Sequence, residues 1–247
     1  MNKTEILKAL TAAFRKEFSD GLGFREPTYA KVAMTIPSTT ATNTYAWLSA
    51  FPRMKEWVGE RTLNKLGKQA MSIENKLFES TVSVPRTDIE DDQVGIYRPI
   101  MKQAGVSAAE LPDDLVWPLL AKGKATLCYD GQNFFDTDHV WYENVDGTGT
   151  TKNMSNLTTG TDADAPTWYV IDDTNVLKPL VYQERTKPEF ETKFDPSKSD
   201  KVFLEDVYLY GIRARGNAGF GLWQLAHMVE KTPLTKEALA KVVQAMK

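Results

Sequence analysis

The sequence predicts an α+β protein, and three observations carry that prediction. Helical spacing of apolar residues is confined to 4–18, to a stretch near the middle of the chain and to the tail. Alternating, β-branched and aromatic runs punctuated by proline and glycine fill the second half. No repeat of fixed period joins the two, which disfavours a solenoid or a propeller.

Composition sets the outer bounds. The chain of 247 residues, 42% apolar and 11% aromatic, is long enough to bury one large core or two modest ones. Thirty Lys and Arg against 33 Asp and Glu leave a net charge of −3, which argues against a surface built to grip phosphate backbones. A single cysteine, Cys128, excludes an intrachain disulfide and a thiolate zinc site. No apolar run approaches the roughly 18–20 residues of a membrane span, and the amphipathic start is unlike a signal peptide. The expectation is a protein made and retained in a reducing cytoplasm, where the sequons at Asn2, Asn153 and Asn156 are chance matches.

Taken in order, Ile6, Leu7, Leu10, Phe14 and Phe18 predict a first helix, with Asn2 and Glu5 as a capping pair. The following stretch, broken by Gly21, Gly23 and Pro27 and Ser/Thr-rich over 38–44, reads as an arm. Over 45–78 neither period holds, and aromatics mix with alternating charges. One reading is an ordinary helix-and-loop segment with its aromatics in the core. The other is a long projecting loop whose aromatics and charges meet a neighbouring subunit, since Trp and Arg are favoured interface anchors.

FESTVSV alternates and predicts a strand ended by Pro85. The acidic run 88–92 precedes Ile96, Tyr97, Ile100 and Met101 and marks a helix start. Ser107 with Glu110 reads as a second capping box, and Leu111, Leu115, Leu119 and Leu120 form a stripe that stops at Gly123. Pro118 is expected to kink or end that element. Residues 125–165 carry turn residues throughout and close in a polar, low-complexity loop expected to be flexible.

WYVIDD, PLVYQER and EFETKF read as separate strands divided by prolines, and VFLEDVYLYGIRARGNAGFGLWQLAHMV as two longer strands around a glycine bend. The tail has Thr235 as N-cap and Leu239, Val242, Val243 and Met246 on one bare face.

Chemistry is sparse. Asp136, Asp138 and His139 in DTDH could bind a divalent ion or orient an imidazole, but such a polar turn is more often a set of side-chain to backbone bonds. His227 reads as a satisfied sheet residue and Cys128 as a small buried one without a base beside it. Gly216, Gly219 and Gly221 lack the Lys-Ser/Thr of a phosphate loop and read as the hairpin bend, with Arg213 and Arg215 meeting acidic groups on a neighbour. An enzyme reading, a hydrolase or metal enzyme using Asp136, Asp138, His139 and Cys128, is therefore the lesser one.

Longer runs carry a resemblance. YDGQNFFDTDH at 129–139, TNTYAWLSAFPRMKEWVGERT at 42–62 and FESTVSVPRTDIEDDQVGIY at 78–97 resemble the Mu-like phage and prophage major head subunit (gpT) family, and KPLVYQERTKPEF and YGIRARGNAGFGLWQLAH extend the match over nearly the whole chain. The resemblance implies a major capsid protein with the Hong Kong 97-type phage capsid fold. Laid on this sequence, that fold gives an N-terminal arm over 1–43, an extended loop over 44–77, and the peripheral domain's strand and spine helix over 78–123. The rest of the peripheral domain and the axial domain fill 124–247.

The expected function is self-assembly into an icosahedral head shell enclosing double-stranded DNA, with no catalysis, cofactor or metal. A tail tube subunit is the other virion reading. Implied partners are copies of itself in hexamers and pentamers, scaffold and portal proteins, and DNA held weakly without sequence preference, with no membrane. The implied location is the virion, assembled in the host bacterial cytoplasm. A projecting loop cannot bury its aromatics in its own chain. Trp47, Phe51, Arg53, Lys55, Glu56, Trp57, Glu60 and Arg61 are therefore the expected intersubunit contacts. Family members continue beyond the last helix, and its bare stripe is expected to be covered.

Overall fold

The computed structural model of the chain describes residues 3–45, 70–91, 93–142 and 150–246. In chain order its elements are α1 (Lys3–Leu22), β1 (Ala33–Pro37), β2 (Thr42–Tyr45), β3 (Met71–Glu74), β4 (Lys76–Pro85), α2 (Arg86–Glu90) and α3 (Tyr97–Ala121). Then come β5 (His139–Tyr142), β6 (Thr151–Met154), β7 (Leu157–Thr159), β8 (Trp168–Ile171), β9 (Leu180–Lys193), α4 (Asp200–Leu204), β10 (Val207–Phe220), β11 (Ala226–Glu230) and α5 (Lys236–Ala245). This is the α+β mixture that the sequence predicts. The strands form one sheet in the order β1-β9-β10-β4, a second in the order β7-β11-β8, and two hairpins, β2-β3 and β5-β6. The chain divides into two compact units, each drawn from three stretches: Met1–Thr28, Asn75–Asp114 and Glu184–Asn217 in one, Tyr29–Glu74, Leu115–Gln183 and Ala218–Lys247 in the other.

In the first unit the helical spacing of Leu10, Phe14 and Phe18 does what it predicts, and all three are buried on one face of α1. Phe14 meets Tyr210 of β10 edge-on at 4.9 Å, and Phe194 packs edge-on against both Tyr208 and Tyr210. Val84 of β4 and Met101 of α3 complete this core. β4 and β10 pair antiparallel from Pro85↔Val207 to Lys76↔Gly216, which sets Arg213 opposite Glu79 of its own chain, an opposite-charge cross-strand pair. Within the acidic run, Asp88 accepts the Tyr97 hydroxyl at 2.5 Å; that bond, with burial and the carboxylate's charge, pushes the phenol up to about 12.

Three sequence expectations need correction. The prolines do not divide the middle helix: α3 runs unbroken through Gly105, Ser107, Pro112 and Pro118. Each interior proline removes one backbone bond. Burial of Met101 and Val106 in the first unit and of Val116 and Leu120 in the second outweighs that loss. Pro188 likewise lies inside one strand, β9, rather than between two. The glycine bend is displaced, because Gly216 and Gly219 lie within β10 and the turn falls at Trp223–Leu225, while VFL of the same run belongs to α4.

The core of the second unit takes aromatics from the turn-rich stretch 125–165, and strands form within the loop expected to be flexible. Phe134 and Phe135 are fully buried, Phe134 stacks on Phe220 at 4.2 Å, and β6 and β7 occupy part of the polar run. Polarity misled here because the backbone bonds of these strands are satisfied within the unit whatever their side chains. Buried Asn156, one of the sequons, donates to the carbonyls of Phe134 and Trp223 and accepts from the Asp136 N–H. α5 forms where its periodicity places it, with Thr235 capping the Ala238 N–H at 3.1 Å.

In the first unit α1 and α3 meet backbone to backbone. A Cβ on Gly105 would lie 2.2 Å from the Phe18 carbonyl oxygen, and one on Gly21 would lie 2.1 Å from that of Lys102. Gly105→Ala should therefore force the helices apart, at a cost of ~1–3 kcal/mol, and lower the thermal midpoint by about 3–10 °C. Gly95→Ala, which would meet nothing within 4 Å, should leave it unchanged. Differential scanning calorimetry of the two variants decides the point.

Candidate functional site

The sequence places its candidate contacts in the connection between β2 and β3. Trp47, Phe51, Arg53, Lys55, Glu56, Trp57, Glu60 and Arg61 all fall in 46–69 and lie outside the described residues. What the structure shows is the stem from which that connection departs. MSIE alternates apolar and polar residues and pairs antiparallel with TNTY, Thr42↔Glu74, Asn43↔Ile73, Thr44↔Ser72 and Tyr45↔Met71. The inward members, Tyr45 and Ile73, are 4% and 3% exposed, whereas the outward Thr44 and Ser72 hydroxyls meet at 2.9 Å. Ser38 and Thr40 both donate to the Asn43 side-chain oxygen, tying the approach to β2 down as well.

Beneath the stem lies Gln183 of β9, with no exposed surface. The Tyr45 hydroxyl donates to its Oε1 at 2.6 Å, and its Nε2 donates to the Ile73 carbonyl at 3.1 Å. One amide thus holds both strands. The Ile73 carbonyl fixes the amide's orientation, because a carbonyl oxygen can only accept. Burial pushes the Tyr45 phenol up, so it remains a donor at neutral pH. Gly219 of β10 leaves room for the Ile73 side chain: a Cβ there would lie 2.3 Å from Ile73 Cδ1. Sequence reasoning did not single out Gln183, and the one available signal is a polar residue following Leu180, Val181 and Tyr182 in an otherwise buried run.

The DTDH cluster is structural. His139 is fully buried, its Nδ1 lies 2.6 Å from Asp130 Oδ2, and its ring stacks on Trp223 at 4.0 Å and 8°. Asp136 accepts from the Thr137 N–H at 2.7 Å. Burial works to raise its carboxyl, but that bond and others, with the nearby His139, hold it below the usual carboxylate range. Among the described residues, no group of three or more His, Cys, Asp or Glu side chains is placed to hold a metal ion. Cys128 is buried with its Sγ 3.6 Å from the Gly221 carbonyl oxygen, and burial pushes its thiol up. His227 of β11 bonds Thr158 through Nε2 at 2.9 Å, the satisfied sheet histidine that the sequence predicts. Asp130 and Trp223, the partners of His139, sit in a turn and beyond a strand and carry no local signature.

Large apolar side chains also stand in solvent: Phe203 and Leu204 of α4, Val176 in the approach to β9, and Leu239 and Val243 of α5, whose Val242 turns inward. Such side chains are candidate contact points.

Comparison with known proteins adds a second line. Residues 7–247 match the family described as the Mu-like prophage major head subunit gpT. The chain is 46% identical to the Mu-like prophage FluMu major head subunit of Haemophilus influenzae, over 98% of this chain and 79% of that protein. It is 45% identical to the major capsid protein of Escherichia phage Mu, over 98% of this chain and 78% of that one. Its fold superposes on a chain from the procapsid of bacteriophage JBD30 with a TM-score of 0.87 and 49% identity, covering 100% of this chain and 81% of that one. Against the JBD30 capsid the TM-score is 0.68 at 37% identity, covering 93% and 75%.

Asp130→Ala should cost ~1–3 kcal/mol by leaving an enclosed imidazole nitrogen without its partner, read as a loss in the urea midpoint. Cys128 should resist a maleimide at pH 8 in the native chain, because its thiolate is suppressed there, and react once the chain is denatured. Labelling followed by mass spectrometry tests this.

Proposed function

The chain belongs to the Mu-like prophage major head subunit gpT family, and we propose that its copies close into an icosahedral shell of hexamers and pentamers around packaged double-stranded DNA. It is the major capsid protein of a Mu-like phage head, a structural component of the virion and not an enzyme, and it has a phage capsid fold. The observation that carries the proposal is the superposition of the whole chain on a procapsid subunit.

Each subunit touches several neighbours through the arm at 1–43 and the extended loop at 44–77. Contacts individually weak combine into a closed lattice because each is repeated by symmetry. The near-neutral charge suits an inner wall that holds DNA weakly and without sequence preference, so that filling and ejection are not opposed. Scaffold and portal proteins guide the assembly. Within the loop, Trp47, Phe51 and Trp57 supply the apolar anchors and Arg53, Lys55, Glu56, Glu60 and Arg61 the charge pairs.

The test is particle yield. Trp57→Ala and Arg61→Glu should each cut assembled particles about tenfold, the effect of losing ~1.4 kcal/mol per contact, while circular dichroism shows the soluble subunit folded. Negative-stain microscopy of the unsubstituted protein should show closed shells. Unchanged yield in both variants would remove the loop from the interface, and helical tubes would favour a tail-type assembly.

A further inference from the structure

From the geometry beneath the stem we infer that Gln183 is a positioning residue for assembly: one enclosed amide ties β2 and β3 to β9, so that the two strands flanking the 46–69 connection are held at fixed points. The inference rests on the assembly role proposed for that connection. A two-stranded ribbon of four residues a side is marginal by itself. On its outward face the Thr44 and Ser72 hydroxyls meet. The inward face contributes Tyr45 and Ile73, which apolar burial alone would let slide along the core surface, because the hydrophobic effect has no direction.

Gln183 supplies the direction. It accepts from a side chain on one strand and donates to the main chain of the other, so a shift of either strand along its axis breaks a buried bond. Gly219 gives a second constraint of a different kind, since the Ile73 side chain occupies the space that any larger residue would fill. Neither feature is needed to make a hairpin; both are needed to keep this one in one place. An apolar residue of similar volume at position 183 would fill the same space but give up both bonds, so the choice of an amide is explained by the two groups it holds.

The experiment uses the full chain and three readouts: thermal midpoint, amide hydrogen exchange of 42–45 and 71–74, and particle yield by sedimentation and negative stain. Gln183→Met keeps the volume and removes both bonds. It should speed exchange in the stem about tenfold while β8 and β11 keep their protection, and reduce particle yield about tenfold. Tyr45→Phe, which removes one hydroxyl, should do the same in smaller measure and decides the matter by the same criteria if Gln183→Met does not fold.

A staple separates positioning from a general loss of stability. Thr44→Cys with Ser72→Cys, closed with oxidised glutathione in the Gln183→Met background, should restore both stem protection and particles, and a reductant should abolish the rescue; the native Cys128 is enclosed and does not compete. Gln183→Met that folds and assembles at the unsubstituted yield would overturn the inference, as would a closed staple that restores protection without particles. If Trp57→Ala and Arg61→Glu block assembly while Gln183→Met does not, the positioning role alone fails. If none of the three affects yield, the assembly role of the connection fails with it.

Discussion

Neither unit has a core that any contiguous stretch of this chain could make. Each is assembled from three separated stretches, and α3, β9 and β10 contribute residues to both. The rest of the structure follows from that constraint. Elements that serve two cores must be long, so α3 runs for 25 residues and β9 and β10 for 14 each. Long elements accumulate residues that local rules would exclude, prolines in the helix and glycines in the strand, and tertiary burial has to carry them.

That constraint also decides how much was legible in the sequence. α1 and β4 bury one face with the period of their own backbone and α5 turns Val242 inward, so local pattern finds all three; β8, half-buried along its whole length, is found by its aromatic and β-branched residues. The prolines of α3 and the Ser107–Glu110 pair are genuine boundary signals; they lose to the burial of Met101, Val106, Val116 and Leu120, and Met101 packs with Leu10, Phe14 and Tyr208, far off in sequence. The 125–165 stretch failed in the opposite sense. Its polar composition hides Phe134 and Phe135, two of the most deeply buried side chains of the second unit, and strands whose stability comes from the sheet and not from their own residues.

The polar residues inside the cores were the least legible. Gln183, Asp130 and Asn156 sit in ordinary strand and turn contexts, and nothing in spacing distinguishes a buried, hydrogen-bonded polar side chain from an exposed one. Their roles appear only when the partners are placed: Tyr45 and Ile73 for Gln183, His139 for Asp130, the carbonyls of Phe134 and Trp223 for Asn156. The candidate contacts at 46–69 stand differently. Residue type and a family resemblance point to them, and the structure describes the two strands that flank them. The family itself was visible in long motifs, whereas periodicity and composition reached arm, loop, strand, helix and late sheet and went no further.

A shell subunit faces an energetic requirement that a stable dimer does not. Its contacts must be weak enough that a misplaced copy leaves, yet the finished lattice must not come apart. Fully burying one Leu or Phe side chain is worth about 1.5–3 kcal/mol, while bringing two proteins together costs about 4–15 kcal/mol in lost freedom. No single exposed side chain here, whether Phe203, Leu204 or Val176, meets that cost by itself. Several engaged together do, provided each arrives at its neighbour at the right place, because a contact displaced by a few ångströms contributes nothing. Weak, scattered contacts therefore demand rigid supports. A hairpin stem held by a buried amide, and two helices pressed backbone to backbone at Gly21 and Gly105, are the kind of support such a surface requires.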